Sequence, residues 1–179
     1  MLTISVGIDC RPPNRVNPRM PAAPPALPPL DSLPGYQIRR LQQIAVGLFM
    51  DETAAHDLTP VQFAALASVV RQPGMDQRTL AGGIGLDTST TAGVVDRLEK
   101  RGLVRREAAP DDRRVRRLVA TDAGRALLTA VWPGMQRAQQ RILAPLSAAE
   151  RRQFMALLGR LVAANNEASR APSRPSADG

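Results

Sequence analysis

Apolar positions recur at helical intervals along most of this chain, and they alternate at strand intervals in one short stretch. The first helical pattern opens near Pro34 and runs to about His56. Ile38, Leu41, Ala45, Leu48 and Glu52 share one stripe, which Ile44, Phe49 and Met50 widen. Thr59 is placed to cap a second helix with Pro60 in its first turn. Val61, Phe63, Ala64, Leu66, Ala67 and Val70 carry that helix until Gln72-Pro73-Gly74 ends it. Asp76 caps a short third helix with Leu80, Ala81 and Ile84, and Gly82, Gly83 and Gly85 mark the turn after it. Asp87 caps a fourth, Thr88 to about Arg101, which buries Val94, Val95 and Leu98 and stops at Gly102.

The period then shifts. Leu103–Ala108 and Val115–Ala120 read as strands joined by a turn at Pro110, Asp111 and Asp112. Thr121 starts a fifth helix on Leu127, Leu128, Val131, Met135, Ala138 and Ile142. Pro133 and Gly134 fall inside it, so a kink near Trp132 is expected. Ser147 and Glu150 form a capping box for a sixth helix using Phe154, Leu157, Leu158, Leu161 and Val162. The prolines of residues 1–33 point to a disordered arm, and residues 166–179 to a disordered tail.

Composition narrows the class. The 179 residues suit one domain with tails, and aromatics make up only 3%, so the core must be aliphatic. Lys plus Arg is 24 against 16 Asp plus Glu, a net charge of +8, which favours a polyanionic partner. A single cysteine, Cys10, and a single histidine, His56, argue against a disulfide framework and a Cys/His zinc site. Neither a metal nor a cofactor is expected. MLTISVGIDC lacks the basic start of a signal peptide and no apolar run is long enough to span a bilayer, so the expected location is the cytoplasm, with no membrane partner.

The chemistry concentrates in Asp76–Thr121. A helix pair with a glycine-marked turn fits a helix-turn-helix, whose second helix presents its N-terminal residues to base edges. Those residues are Thr88, Ser89, Thr90 and Thr91, hydroxyls that can serve phosphates or bases. Arg97 lies further along the same helix. The hairpin adds Arg105, Arg106, Arg113, Arg114, Arg116 and Arg117, with Asp111 and Asp112 together at the tip. An arginine there suits a narrow minor groove, and Asp111 is placed to orient Arg113. Arg105, Arg106, Arg114 and Arg116 read as phosphate contacts or solvated charge. The expected fold is mainly α: a winged helix-turn-helix with a small β-hairpin wing, plus a helical dimerisation region from both chain ends.

LDTSTTAGVVDRLEKRGLVRREAAPDDRRVRRLVATDAG resembles the multiple antibiotic resistance regulator (MarR) family. The recognition-helix run ending DRLEKRGLV, the wing run PDDRR and the T-x-A-G after it carry the resemblance, over residues 34–165. It implies a DNA-binding lobe at 59–120 and dimerisation helices at 34–56 and 121–165. It also implies a homodimer on double-stranded DNA at a near-palindromic operator, usually as a repressor. The family's wing-tip arginine maps to Arg113.

Family members often bind small phenolic or aromatic carboxylates between the dimer helices and the DNA-binding lobe. Phe63 and Trp132 are candidate lining residues, Arg39 and Arg40 candidate carboxylate ligands, and Gln43 and His56 candidate hydrogen-bonding groups. An enzyme is disfavoured by the lone histidine and by a GGIG run in the wrong context for a phosphate loop. Peroxide sensing fits poorly with Cys10 in the arm, although a redox-responsive or ligand-independent regulator of the same fold remains an alternative. The other rival is a sequence-neutral architectural DNA-binding protein, which lacks an apolar wedge at the tip.

Overall fold

The computed structural model describes residues 27–108 and 116–173. Asp111, Arg113 and Arg114, the proline-rich arm through residue 26 and Cys10 lie outside the described residues.

Helix α1 spans Pro34–Glu52, with Pro34 in its first turn where no N–H is missed. A short 3-10 turn, Ala54–His56, follows. The chain then bends at Asp57, whose φ is +46°. Helix α2, Pro60–Arg71, starts with a full capping box: Thr59 Oγ1 accepts from Gln62 N at 3.2 Å, and Gln62 Oε1 accepts from Thr59 N at 3.1 Å. Asp76 caps α3, Gln77–Ile84, by accepting from Thr79 N at 2.7 Å. Gly85, at φ +65°, ends α3, and α4 runs Thr88–Lys100. Gly102, at φ +69°, lets Leu103 N return to Leu98 O at 2.9 Å, closing the C-terminal turn of α4.

Strands β1, Val104–Ala108, and β2, Arg116–Ala120, pair antiparallel from Val104↔Ala120 to Ala108↔Arg116. The segment before α3 joins this hairpin, because Leu118 N donates to Met75 O at 2.8 Å and Gly74 N to Leu118 O at 2.9 Å. The wing base is therefore sewn to the start of the helix pair. Helix α5, Asp122–Leu143, is capped by Thr121 and stays helical through Pro133. Helix α6, Ala148–Ala164, follows its own capping box.

Leu58, Leu66, Val69, Leu80, Val94, Val95, Leu98, Val104 and Leu118 form one buried cluster, which Phe49 from α1 and Val131 and Ala138 from α5 extend. Helix α5 approaches its neighbours through glycine at two places. A Cβ at Gly124 would lie 2.1 Å from Leu103 O, and one at Gly134 would lie 2.5 Å from Glu52 O. Helix α6 is different: it has no buried residue, and Met155, Leu157, Leu161 and Val162 are exposed. Ile38, Ile44 and Met50 of α1 are exposed as well.

The two ends differ from the sequence expectation. Leu30–Ser32 forms a 3-10 turn ahead of α1, held by Gln37 Nε2 donating to Asp31 O at 2.7 Å. The tail also turns back. Asn166 brackets Ser173 with two hydrogen bonds, of 2.9 and 3.1 Å, and Ser173 Cβ comes within 3.9 Å of a Cβ position at Gly85. Prolines at one end and polar residues at the other hid these features, because each rests on a few local hydrogen bonds rather than on apolar periodicity.

Candidate DNA interface and effector region

Asp87 organises the N-terminus of α4. Its carboxylate accepts from Thr90 N and from Thr90 Oγ1, both at 2.7 Å. These bonds, the backbone one foremost, hold the Asp87 carboxyl below its ordinary pKa. Thr88 and Ser89 are exposed, and neither hydroxyl engages another described residue. Thr90 is exposed, but its hydroxyl is committed to the cap. Thr91 corrects the sequence expectation. It is fully buried, and its hydroxyl donates to Asp87 O at 2.8 Å, so it cannot face a base. The signal was present: Thr91 stands three, four and seven residues before Val94, Val95 and Leu98, on the buried stripe. Arg97 is exposed, and its Nη2 lies 3.6 Å from a Cβ position at Gly93, so its side chain folds back along α4 toward those hydroxyls.

The arginines of the hairpin divide by role. Arg105 is exposed and pairs with Glu107 at 2.5 Å. Arg116 is exposed at the start of β2. Arg106 is neither a free phosphate contact nor solvated charge. Its side chain is 24% exposed, bonded to Asp96 Oδ1 at 2.6 Å and to Glu99 Oε2, and 3.4 Å from Gln77 Oε1. Burial works against its charge, but Asp96 and Glu99 outweigh that and raise its pKa. Gln77 in turn reaches Thr88 O at 3.4 Å. Arg106 thus ties β1 to α4 and, through Gln77, to α3, which fixes the angle between the wing base and the reading helix.

Asp76 is likewise held low, first by the backbone N–H of Thr79. Both caps therefore stabilise the ionised fold fully above the ordinary carboxylate range, and that contribution is lost as pH falls through their depressed values. The expected result is a thermal midpoint that declines below about pH 4. In Asp76→Asn/Asp87→Asn, which keeps one acceptor oxygen at each cap for the backbone N–H but removes the titration, the acid decline should shrink. An unchanged decline in the double variant would show that other carboxylates dominate it.

The candidate effector residues do not form one cluster within the chain. Phe49, Phe63 and Trp132 stack in sequence, at 5.7 Å edge-on and 6.4 Å face-on. Arg39 lies over the Tyr36 ring at 5.1 Å and reaches Gln43 Oε1 at 3.3 Å. Arg40 is exposed. At 1.5 Å per residue, Arg40 lies about 14 Å along α1 from Phe49, so one chain does not bring these arginines to the aromatics. His56 is half-buried at the opposite end of α1, and its carbonyl accepts from Arg101 Nη2 at 3.1 Å.

Two cavities lie elsewhere. One, of about 500 Å³, is lined by Glu52, Arg137, Gln140, Arg141, Ala144 and Arg151. The other, of about 220 Å³, is apolar and lined by Leu41, Ile142, Leu143, Pro145, Leu146 and Phe154. Beside the first, Arg137 pairs with Glu52 at 2.7 Å, and Arg141 pairs with Asp51 at 2.5 Å and Glu52 at 2.8 Å. Arg137 first, then Arg141, holds the Glu52 carboxyl low. The i,i+4 spacing of the two arginines was visible in the sequence, but their partners on α1 were not.

Known proteins share this fold. The MarR family model matches residues 58–115, from the start of α2 into the wing. The transcriptional regulator HosA of Escherichia coli O111:H- is 33% identical over 127 residues, which covers 71% of this chain and 93% of HosA. The chain belongs to the MarR family. Among solved structures, the PcaV transcriptional regulator of Streptomyces coelicolor, in complex with its natural ligand, matches at 38% identity with a TM-score of 0.72. The match covers 78% of this chain and 98% of PcaV. The transcriptional repressor CouR, bound to a 23-mer DNA duplex, matches at 31% identity with a TM-score of 0.70, covering 74% of this chain and 94% of CouR. CouR of Rhodococcus jostii RHA1 has also been solved bound to p-coumaroyl-CoA. As a MarR-family protein, the chain is a DNA-binding transcription regulator with a winged helix fold. Among its described helices none is long and apolar enough to cross a membrane.

Proposed function

We propose that this MarR-family protein is a homodimeric repressor that grips a near-palindromic operator and is released by a small aromatic or phenolic acid. The observation that carries DNA reading is the exposed N-terminus of α4. Thr88 and Ser89 stand there with exposed hydroxyls, and Arg97 folds back toward Gly93 on the same helix, whose angle Arg106 fixes to the wing. In this reading Ser89 and Thr88 meet base edges, while Arg97, Arg105, Arg114 and Arg116 meet phosphates. Arg113, oriented by Asp111, enters the minor groove. The wing tip is assigned from the sequence resemblance.

Support for the dimer comes from α6, where Met155, Leu157, Leu161 and Val162 stay exposed. A second copy would cover them and place two α4 helices roughly 34–36 Å apart, one turn of DNA. The effector half draws on the ligands held by PcaV and CouR. It requires the partner's α1 to carry Arg39, Arg40 and Gln43 toward the Phe63–Trp132 stack, since one chain alone does not.

Fluorescence anisotropy on the DNA upstream of the protein's own gene tests the proposal. Arg97→Ala should weaken binding to all sequences and lower the log–log salt slope by roughly 0.9. Ser89→Ala should reduce discrimination against random DNA by about tenfold and leave the slope unchanged. 4-Hydroxybenzoate or p-coumarate should lower operator affinity. Equal affinity of the wild type for operator and random DNA would favour a sequence-neutral architectural protein instead.

A further inference from the structure

The sequence offered Arg101 no role beyond ending α4. The structure gives its side chain two acceptors far along the chain. Nη2 donates to His56 O at 3.1 Å, and Nη1 donates to Asp57 O. Both carbonyls belong to the elbow between α1 and α2. On its α1 side the elbow is fixed firmly. Thr53 is 2% exposed, its hydroxyl donates to Phe49 O at 2.7 Å, and the Glu52 carbonyl packs on Gly134 of α5. On its α2 side Leu58 is buried in the core. Between these anchors Asp57 takes the left-handed conformation, which for a residue with a Cβ persists only where its surroundings hold it.

We propose that Arg101 is a positioning residue for DNA recognition: it is the strut through which the elbow at the end of α1 sets the orientation of α4. This rests on the proposed dimeric, effector-controlled reading. The other polar ties of α4, through Asp96 and Glu99 to Arg106, stay within the α2–α4 and hairpin unit. Arg101 instead joins α4 to the segment that leaves α1, the helix that carries exposed apolar residues and the candidate effector side chains Arg39, Arg40 and Gln43.

A cation at the C-terminal end of a helix is ordinary, because it complements the helix dipole and usually bonds its own last carbonyls. Arg101 reaches carbonyls 44 and 45 residues earlier in the sequence. It is also a poor candidate for base reading. Thirteen residues separate it from Thr88, about 19 Å along the helix axis. With an α1 displacement the two carbonyls move, and the rigid planar guanidinium carries the end of α4 with them.

The experiment uses the full chain in a Cys10→Ser background with spin labels at Gln42→Cys on α1 and Lys100→Cys on α4. Labelled protein is diluted with unlabelled protein so that pulsed electron resonance reads the distance within one chain. Arg101→Ala should broaden that distance distribution, lower operator affinity by about tenfold and leave the salt slope unchanged. Arg101→Lys, whose ammonium can still bridge the two carbonyl oxygens, should restore a narrow distribution and part of the affinity. An unchanged distribution in Arg101→Ala overturns the strut, and so does a salt slope reduced by roughly 0.9, which marks a phosphate contact. Should Arg101→Ala not fold, Arg101→Lys and Arg101→Gln carry the same comparison. A wild type without operator preference refutes the proposed function, while the distance measurement still decides the strut.

Discussion

Alanine at position 124 is expected to lower folding stability by about 3 kcal/mol or more, since a new methyl group would press on backbone that has nowhere to move. The added Cβ would stand 2.1 Å from Leu103 O, 3.0 Å from Leu103 C and 3.2 Å from Leu66 Cδ1. That carbonyl also accepts from Thr121 N at 3.1 Å, and the Thr121 hydroxyl donates to Gly102 O at 2.6 Å. Room for the methyl therefore requires breaking the stitch between the start of α5 and the start of β1. Denaturant titration of Gly124→Ala against Gly159→Ala checks the cause. Gly159 lies within α6 with nothing inside 4 Å of a Cβ, so alanine there should stabilise by up to about 1 kcal/mol through helix propensity. Equal stability of the two variants would show that the close approach at Gly124 is unimportant.

The second large effect concerns Arg106. In Arg106→Met the stem is retained while Asp96 and Glu99, both on the reading helix, lose their shared cation. The pair is partly solvated, so the stability loss should be modest, about 1 kcal/mol. The loss in operator affinity should be larger, about tenfold or more, because two uncompensated carboxylates repel phosphates and the wing base is no longer tied to α4. Adding Asp96→Asn and Glu99→Gln should recover part of the affinity by removing that repulsion. Should Arg106→Met bind the operator like wild type, the hairpin angle does not depend on this cluster.

Local devices were legible in the sequence, and distant partnerships were not. Thr59, Asp76, Asp87, Thr121 and Ser147 each cap the expected helix, because a cap acts within three residues of itself. The winged helix likewise followed from apolar periodicity and the glycine turns. Arg106 escaped because an arginine in a hairpin looks the same whether it faces phosphate or two carboxylates seven and ten residues away. Arg101 and the Glu52–Arg137–Arg141 cluster escaped because their partners are 44 to 90 residues distant. The effector set was grouped by chemistry. Phe63 and Trp132 do stack, whereas Arg40 lies about 14 Å along α1 from Phe49, a separation within one chain that residue types alone do not reveal.

Helix α5 meets its surroundings backbone to backbone at Gly124 and Gly134. Ten residues of helix place those two contacts about 15 Å apart along one rigid rod. A rod pinned at two points cannot slide along its own axis without lifting off both. Turning about the line that joins them is opposed as well, because Arg137 and Arg141 clasp Glu52 and Asp51 from the same rod. A displacement that starts at one contact is therefore handed along α5 to the other.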